Sequence, residues 1–213
     1  MPIISLINEK GGAGKSTTSL HFAFWLYAKK KKVQIVDSDP QKSCSKWVTA
    51  MGNPIPVTIL TTPDDLLDKI PELAAQTDFL VIDAPPGLAE SSRAILFRTD
   101  LAVIPCQPSG LDLDAASDAI RLIKQAQSVR GGLPKAAIFI NRASKGTRLK
   151  DEAVSLINNI STATALKTTV HQRQAIADSF GQGTTVFGLK GSGASDAAAE
   201  FEQLFKEIIK LLK

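Results

Sequence analysis

The sequence predicts an α/β fold, one mainly parallel twisted sheet with helices on both faces. Three observations predict it. Five short runs are apolar almost throughout, at residues 3–7, 33–36, 79–82, 100–105 and 136–140. Unbroken apolar runs mark strands covered on both faces, as parallel strands are, whereas strict alternation marks strands wet on one side. Longer stretches with apolar residues at helical spacing lie between the runs, so strand and helix take turns. The chain also opens with strand, glycine-rich turn and helix in direct succession, over residues 3–27. A chain of 213 residues suits a single domain, residues 1–213, whose core needs no disulfide or metal.

In chain order, residues 3–7 form the first strand, and residues 19–27 a helix apolar enough to pack on a sheet. Four lysines at 29–32 follow, cations that complement a helix C-terminus. The second strand, 33–36, runs into Asp37-Ser38-Asp39-Pro40-Gln41, where Pro40 stops it. Residues 54–60 read as a short third strand. A helix over 64–76 carries Leu66, Leu67, Ile70 and Leu73 at helical spacing. The strand at 79–82 ends in Asp83 and gives way to Pro85-Pro86-Gly87. After the strand at 100–105, a helix over 112–129 places Ala115, Ala119, Leu122, Ile123 and Ala126 inward, and Gly131-Gly132 closes it. The strand at 136–140 ends in Asn141-Arg142. A locally basic stretch, 145–150, precedes a strand expected at 166–170. Residues 181–193 are glycine-rich, and the loop at 181–186 is expected near the bound ligand. The last helix, 196–213, shows Phe201, Leu204, Phe205, Ile208, Leu211 and Leu212 on one broad face.

The chemistry concentrates in the first turn, Lys10-Gly11-Gly12-Ala13-Gly14-Lys15-Ser16-Thr17. Glycines let backbone N–H groups turn toward an anion, and the helix N-terminus adds partial positive charge. Lys15 is placed to reach β- and γ-phosphates, and the Ser16 hydroxyl to ligate magnesium. The common pattern G-x-x-x-x-G-K-[ST] would put glycine at position 9, where Glu9 stands, with Lys10 after it. Asp37 and Asp39 leave the second strand at the edge where α/β sheets bind ligands. Asp83 ends a buried strand, as a carboxylate serving a metal does.

Together, K-G-G-x-G-K-[ST] at 10–16, D-x-D-P-Q at 37–41 and the strand ending in Asp83 resemble the ParA/MinD family of deviant Walker A ATPases. The resemblance covers nearly the whole chain and implies a P-loop NTPase fold. It implies that Lys10, Gly11, Gly12, Ala13, Gly14, Lys15, Ser16 and Thr17 hold ATP. Lys15 then acts in its own subunit, while Lys10 crosses a dimer interface to the partner's ATP. Ser16, Asp37 and Asp83 would gather around Mg2+, Asp83 through a water. Asp39 would lie beside the attacking water, and residues 85–87 would sense the γ-phosphate. Asn141 is either an adenine contact or a turn residue capping the next helix.

Within that family the D-x-D-P-Q turn is similar to the ParA form. The implied function is a Mg-dependent ATPase that dimerises with ATP, binds DNA non-specifically and is released when an adaptor protein stimulates hydrolysis, in cytoplasm on nucleoid DNA. The sequence enters its first strand at residue 3, so the helix-turn-helix extension of larger ParA proteins is not expected ahead of it. The rival is a MinD-like membrane-cycling ATPase using the last helix, which carries Lys206, Lys210 and Lys213. The charge balance, 25 Lys and Arg against 21 Asp and Glu, permits an anionic partner without demanding one. Lys145, Arg148, Lys150, Arg173 and Lys190 are the candidate DNA contacts, or else ordinary solubilising charges. Cys44 and Cys106 form no C-x-x-C pair and match no cluster-ligand positions, which sets aside zinc, disulfide and iron–sulfur readings. His21 and His171 are isolated and are not expected to be ligands. No run approaches the ~20 apolar residues that span a bilayer.

Overall fold

The computed structural model describes residues 1–87 and 90–213. Its strands are β1 (Ile3–Leu6), β2 (Val33–Asp37), β3 (Val57–Ile59), β4 (Phe79–Asp83), β5 (Leu101–Cys106), β6 (Lys135–Ile140) and β7 (Thr164–Ala165). Its helices are α1 (Lys15–Ala28), α2 (Ser43–Ala50), α3 (Pro63–Ala75), α4 (Glu90–Arg98), α5 (Gly110–Val129), α6 (Arg148–Asn158), α7 (Gln174–Gly181) and α8 (Ser192–Leu211). The strands form one sheet in the order β3-β2-β4-β1-β5-β6-β7, and every pairing is parallel. β1 sits in the middle, and the chain reverses its direction of travel on either side of it. Ligands of open α/β sheets bind at such a reversal, beyond the C-terminal strand ends.

Each apolar run feeds two cores because successive side chains leave a strand on opposite faces. On one face Val36, Leu80, Ile82, Ala102, Ile104 and Ile138 pack against α3, α4, α5 and α6 through Leu66, Ile70, Ile95, Ile123 and Ile157. On the other, Ile4, Leu6, Ile35, Val81, Val103 and Phe139 meet α1, α2 and α8 through Leu20, Phe22, Trp47, Phe201, Leu204 and Phe205. That two-sided burial is why the runs do not alternate.

Two expectations change. The strand at 166–170 is not formed; the paired strand is β7, two residues earlier. Residues 166–170 still travel beside β6, with Leu166 N donating to Ile138 O at 2.8 Å and Val170 N to Ile140 O at 2.9 Å. Between those points Glu207 of α8 accepts from the Lys167 amide and the Thr168 hydroxyl, which diverts the backbone from the ladder. Within the basic stretch at 145–150, α6 begins at Arg148. In α5 the expected Ala119, Leu122, Ile123 and Ala126 are buried, and only Ala115 gives its inward place to Ala116. The helices α2, α4, α6 and α7 are short and bury few apolar residues each, which leaves little periodicity to read.

Candidate functional site

A cavity of about 670 Å³ opens beyond the C-terminal ends of β1, β2, β4 and β6, a size that suits a nucleotide-sized ligand. Its floor is the glycine-rich turn between β1 and α1. Gly12 and Gly14 hold φ of +80° and +97°, a left-handed region that side chains with a Cβ rarely enter. Three neighbours pull the carbonyls of this turn outward. Gln107 Nε2 and Arg142 Nη1 donate to Gly12 O at 2.9 and 3.0 Å, and Asn141 Nδ2 donates to Ala13 O at 2.8 Å. C=O and N–H point in opposite directions across a trans peptide, so the N–H groups of those units face the other way. Lys15 is 5% exposed, and its Nζ donates to Lys10 O at 3.2 Å across the turn. Burial lowers the Lys15 pKa, and the charges of Asp83 and Asp39 oppose that effect.

Beside Lys15 lies a carboxylate corner. β2 and β4 are paired with Asp37 opposite Asp83, and both are fully buried. Burial pushes the Asp83 pKa up to about 7, the nearby Ser16 hydroxyl opposes this, and the Asp37 charge adds to it. Asp83 Oδ1 takes a long hydrogen bond from Ser19 Oγ, 3.4 Å, while Oδ2 is buried without a partner. Asp37 differs, because its oxygens accept from Ser45 N, Ser45 Oγ and Asp39 N at 2.8, 2.7 and 3.3 Å. An orphaned carboxylate oxygen next to a second carboxylate and the Ser16 hydroxyl fits a hard cation. Asp37 is better placed to brace the turn. Asp39 lines the cavity, with Oδ1 accepting from Gln41 N at 2.9 Å.

The structure brings Gly11, Gly12, Gly14, Lys15, Ser16, Thr17, Asp39 and Asn141 onto one cavity wall. Ala13 is fully buried beneath them. Lys10 does not line the cavity, and its ammonium pairs with Asp112. Asn141 is 4% exposed and braces the phosphate turn; a Cβ on Gly14 would come within 2.2 Å of its Nδ2.

The opposite wall was not legible beforehand. It consists of Lys46, Trp47, His171, Arg173, Ile176, Phe180 and Phe201, drawn from four separate stretches. No local pattern marks them. The loop at 181–186, expected near the nucleotide, contributes no lining residue. It props the site from behind instead. Trp47 Nε1 donates to Thr184 O at 2.8 Å, and Val186 N donates to His21 Nε2 at 3.2 Å. His21 Nδ1 lies 2.7 Å from Thr17 O, so the neutral Nδ1–H tautomer satisfies both ring nitrogens. Burial lowers the His21 pKa to about 4.

Among the candidate DNA contacts, Lys145, Arg148 and Lys190 are exposed. Lys150 is largely covered and lies 3.4 Å from Asp151. Arg173 departs from the expected free loop cation. Its guanidinium is held by Asp196 at 2.9 Å and Glu200 at 2.6 Å, with 14% of the side chain exposed. Glu200 also accepts from the backbone and ring of His171, so this cluster ties the far wall of the cavity to α8.

Comparison with known proteins agrees with this geometry. The CobQ/CobB/MinD/ParA nucleotide binding domain matches residues 4–186. The maintenance of carboxysome distribution protein A of Halothiobacillus neapolitanus is 30% identical over 210 residues, covering 97% of this chain and 95% of that protein. The protein ParA of Rhizobium radiobacter is 24% identical over 204 residues, covering 93% and 91%. Among solved structures, an ATP complex of Cyanothece McdA superposes with a TM-score of 0.80 at 14% identity, covering 99% and 96%. The Pyrococcus furiosus cell division ATPase MinD gives 0.74 at 20% identity, covering 99% of each chain. At such identities the two structures establish the P-loop NTPase fold. The glycine turn between β1 and α1, the paired carboxylates at the ends of β2 and β4, and the family match over residues 4–186 lead to one conclusion: the chain belongs to the CobQ/CobB/MinD/ParA family of nucleotide-binding proteins.

Proposed function

We propose that this chain is a Mg2+-dependent ATPase of the partition or cargo-positioning kind. It dimerises with ATP, binds DNA without sequence preference and leaves it when a partner protein stimulates hydrolysis. The observation that carries the reading is that Lys15, Ser16 and Asp39 line one nucleotide-sized cavity, with the orphaned Asp83 oxygen buried behind Lys15. The two relatives are named for carboxysome distribution and as a ParA, and the reading takes what those roles have in common.

Lys15 faces the charge of the β- and γ-phosphates, and the amides of the glycine turn hold their oxygens. Asp83 and Ser16 are the residues that would hold Mg2+, which when bound supplies neutralising charge to the phosphates, with Asp37 bracing the turn beside them. Asp39 accepts a hydrogen bond from the attacking water and orients it. Trp47, Phe180 and Phe201 offer the base an apolar wall. The MinD-like alternative draws no support from α8. That helix buries Ala194, Ala197, Phe201, Leu204, Phe205 and Ile208 in the core, so its apolar face is already covered. Among the described residues, no helix is long and apolar enough to cross a membrane.

The test is nucleotide turnover and capture with Asp39→Ala. The variant is expected to bind ATP and remain on duplex DNA while hydrolysing at least ~100-fold more slowly, the scale of a lost general-base contribution. Turnover at the wild-type rate would remove Asp39 from the mechanism. ATP-dependent capture by anionic liposomes and not by DNA would replace this reading with the membrane-cycling one.

A further inference from the structure

The lysine that opens the K-G-G-x-G-K loop is anchored within its own subunit. Lys10 Nζ lies 2.8 Å from Asp112 Oδ2, where the Asp112 side chain is 2% exposed and that of Lys10 is 37% exposed. Asp112 sits in the first turn of α5, and Oδ2 also accepts from the Ser109 hydroxyl. Its other oxygen, Oδ1, is buried with no partner. Among the described residues, Lys10 is the only cation in an ion pair with this carboxylate. The Lys10 backbone is anchored too. Its N–H donates to Asn8 Oδ1 at 2.9 Å, and Asn8 Nδ2 in turn donates to Pro105 O of β5 at 2.8 Å.

We propose that Asp112 is a positioning residue that restrains Lys10 in its own subunit and so sets how much ATP self-association requires. The inference rests on reading Lys10 as the lysine that acts across an interface between two copies. For its ammonium to reach another protomer, the pair must open. Asp112 is then left buried and uncompensated, which is costly for a carboxylate. A nucleotide in the facing protomer offsets that cost in proportion to the negative charge it presents. ATP presents a γ-phosphate and ADP does not, so the restraint makes association selective for the triphosphate. Two restraints open per dimer. A threefold factor for each, the size expected of a partly exposed pair, compounds to about tenfold in the dimer dissociation constant.

Asp112→Asn removes the charge while keeping the shape and an acceptor for Ser109. Sedimentation of the full chain is measured with Mg2+ and either a non-hydrolysable ATP analogue or ADP, for wild type, Asp112→Asn and Lys10→Ala. Asp112→Asn is expected to dimerise about tenfold more tightly with the analogue and to gain a dimer with ADP that wild type lacks. Unchanged association would overturn the restraint. Weaker association would overturn it as well, and would assign Asp112 to receiving the partner's lysine. If Lys10→Ala dimerises as wild type does, the crossing role of Lys10 fails and the restraint falls with it. A Lys10→Ala protein that stays monomeric, beside an unaffected Asp112→Asn, sinks the restraint alone. Should Asp112→Asn not fold, Asp112→Ser puts a hydroxyl in the same helix turn and carries the same expectations.

Discussion

Asp83→Asn removes a charge that the fold keeps out of water, and the effect on stability should depend on pH in a defined way. Burial raises the Asp83 pKa from 3.8 to about 7, so the folded state holds this proton more tightly than the unfolded chain does. The stabilising contribution is therefore complete below 3.8 and is lost as pH rises through about 7. That difference is a penalty that grows by a few kcal/mol between pH 5 and pH 8. Asparagine does not titrate. Urea unfolding of metal-free, nucleotide-free protein at several pH values should show Asp83→Asn gaining on wild type by a few kcal/mol between pH 5 and pH 8. Titrating groups remote from Asp83 are common to both proteins and cancel in the difference. Adding Mg2+ and nucleotide should reverse the order, since the cation compensates a carboxylate but binds the amide poorly. A stability gap that stays constant with pH would refute the account of Asp83 as a buried, uncompensated charge.

Three further outcomes are expected. Gly14→Ala forces a Cβ into a left-handed backbone and to within 2.2 Å of Asn141 Nδ2, so fluorescent-nucleotide affinity should fall at least ~10-fold, the equivalent of about 1.4 kcal/mol; normal affinity would show that the turn tolerates the displacement. His21, held neutral with its pKa lowered to about 4, contributes stability that is complete above 6.5 and lost as pH falls through 4. The advantage of wild type over His21→Asn should shrink by about 2 kcal/mol between pH 7.5 and pH 5, and a constant advantage in denaturant melts would contradict this. Arg148→Glu and Lys190→Glu, read by DNA binding against salt with ATP present, should each reduce the salt slope by about one unit if the side chain meets a phosphate; unchanged affinity and slope in both would shift attention to the four lysines at 29–32.

The strand runs, the phosphate turn and the two acidic strand ends were determined by the sequence alone, because each is a local property. An apolar run needs only that both faces be covered, and a glycine turn between strand and helix needs only positive φ and amides that face an anion. Asp37 and Asp83 could be placed at strand ends the same way. That they stand opposite one another, with one saturated by Ser45 and the other left with a bare oxygen, was decided by β2 pairing with β4. The far wall of the cavity was likewise a tertiary outcome. Trp47, Phe180 and Phe201 carry no shared pattern and meet only because α2, α7 and α8 cover the same face of the sheet. Arg173 reads as one more loop cation until Asp196 and Glu200 close on it. Lys10 stands 102 residues from Asp112, and their pairing arises because β1 and β5 are neighbours in the sheet. Charge type and backbone permissiveness are written residue by residue. Which charges neutralise one another depends on distances that exist only once the sheet has formed.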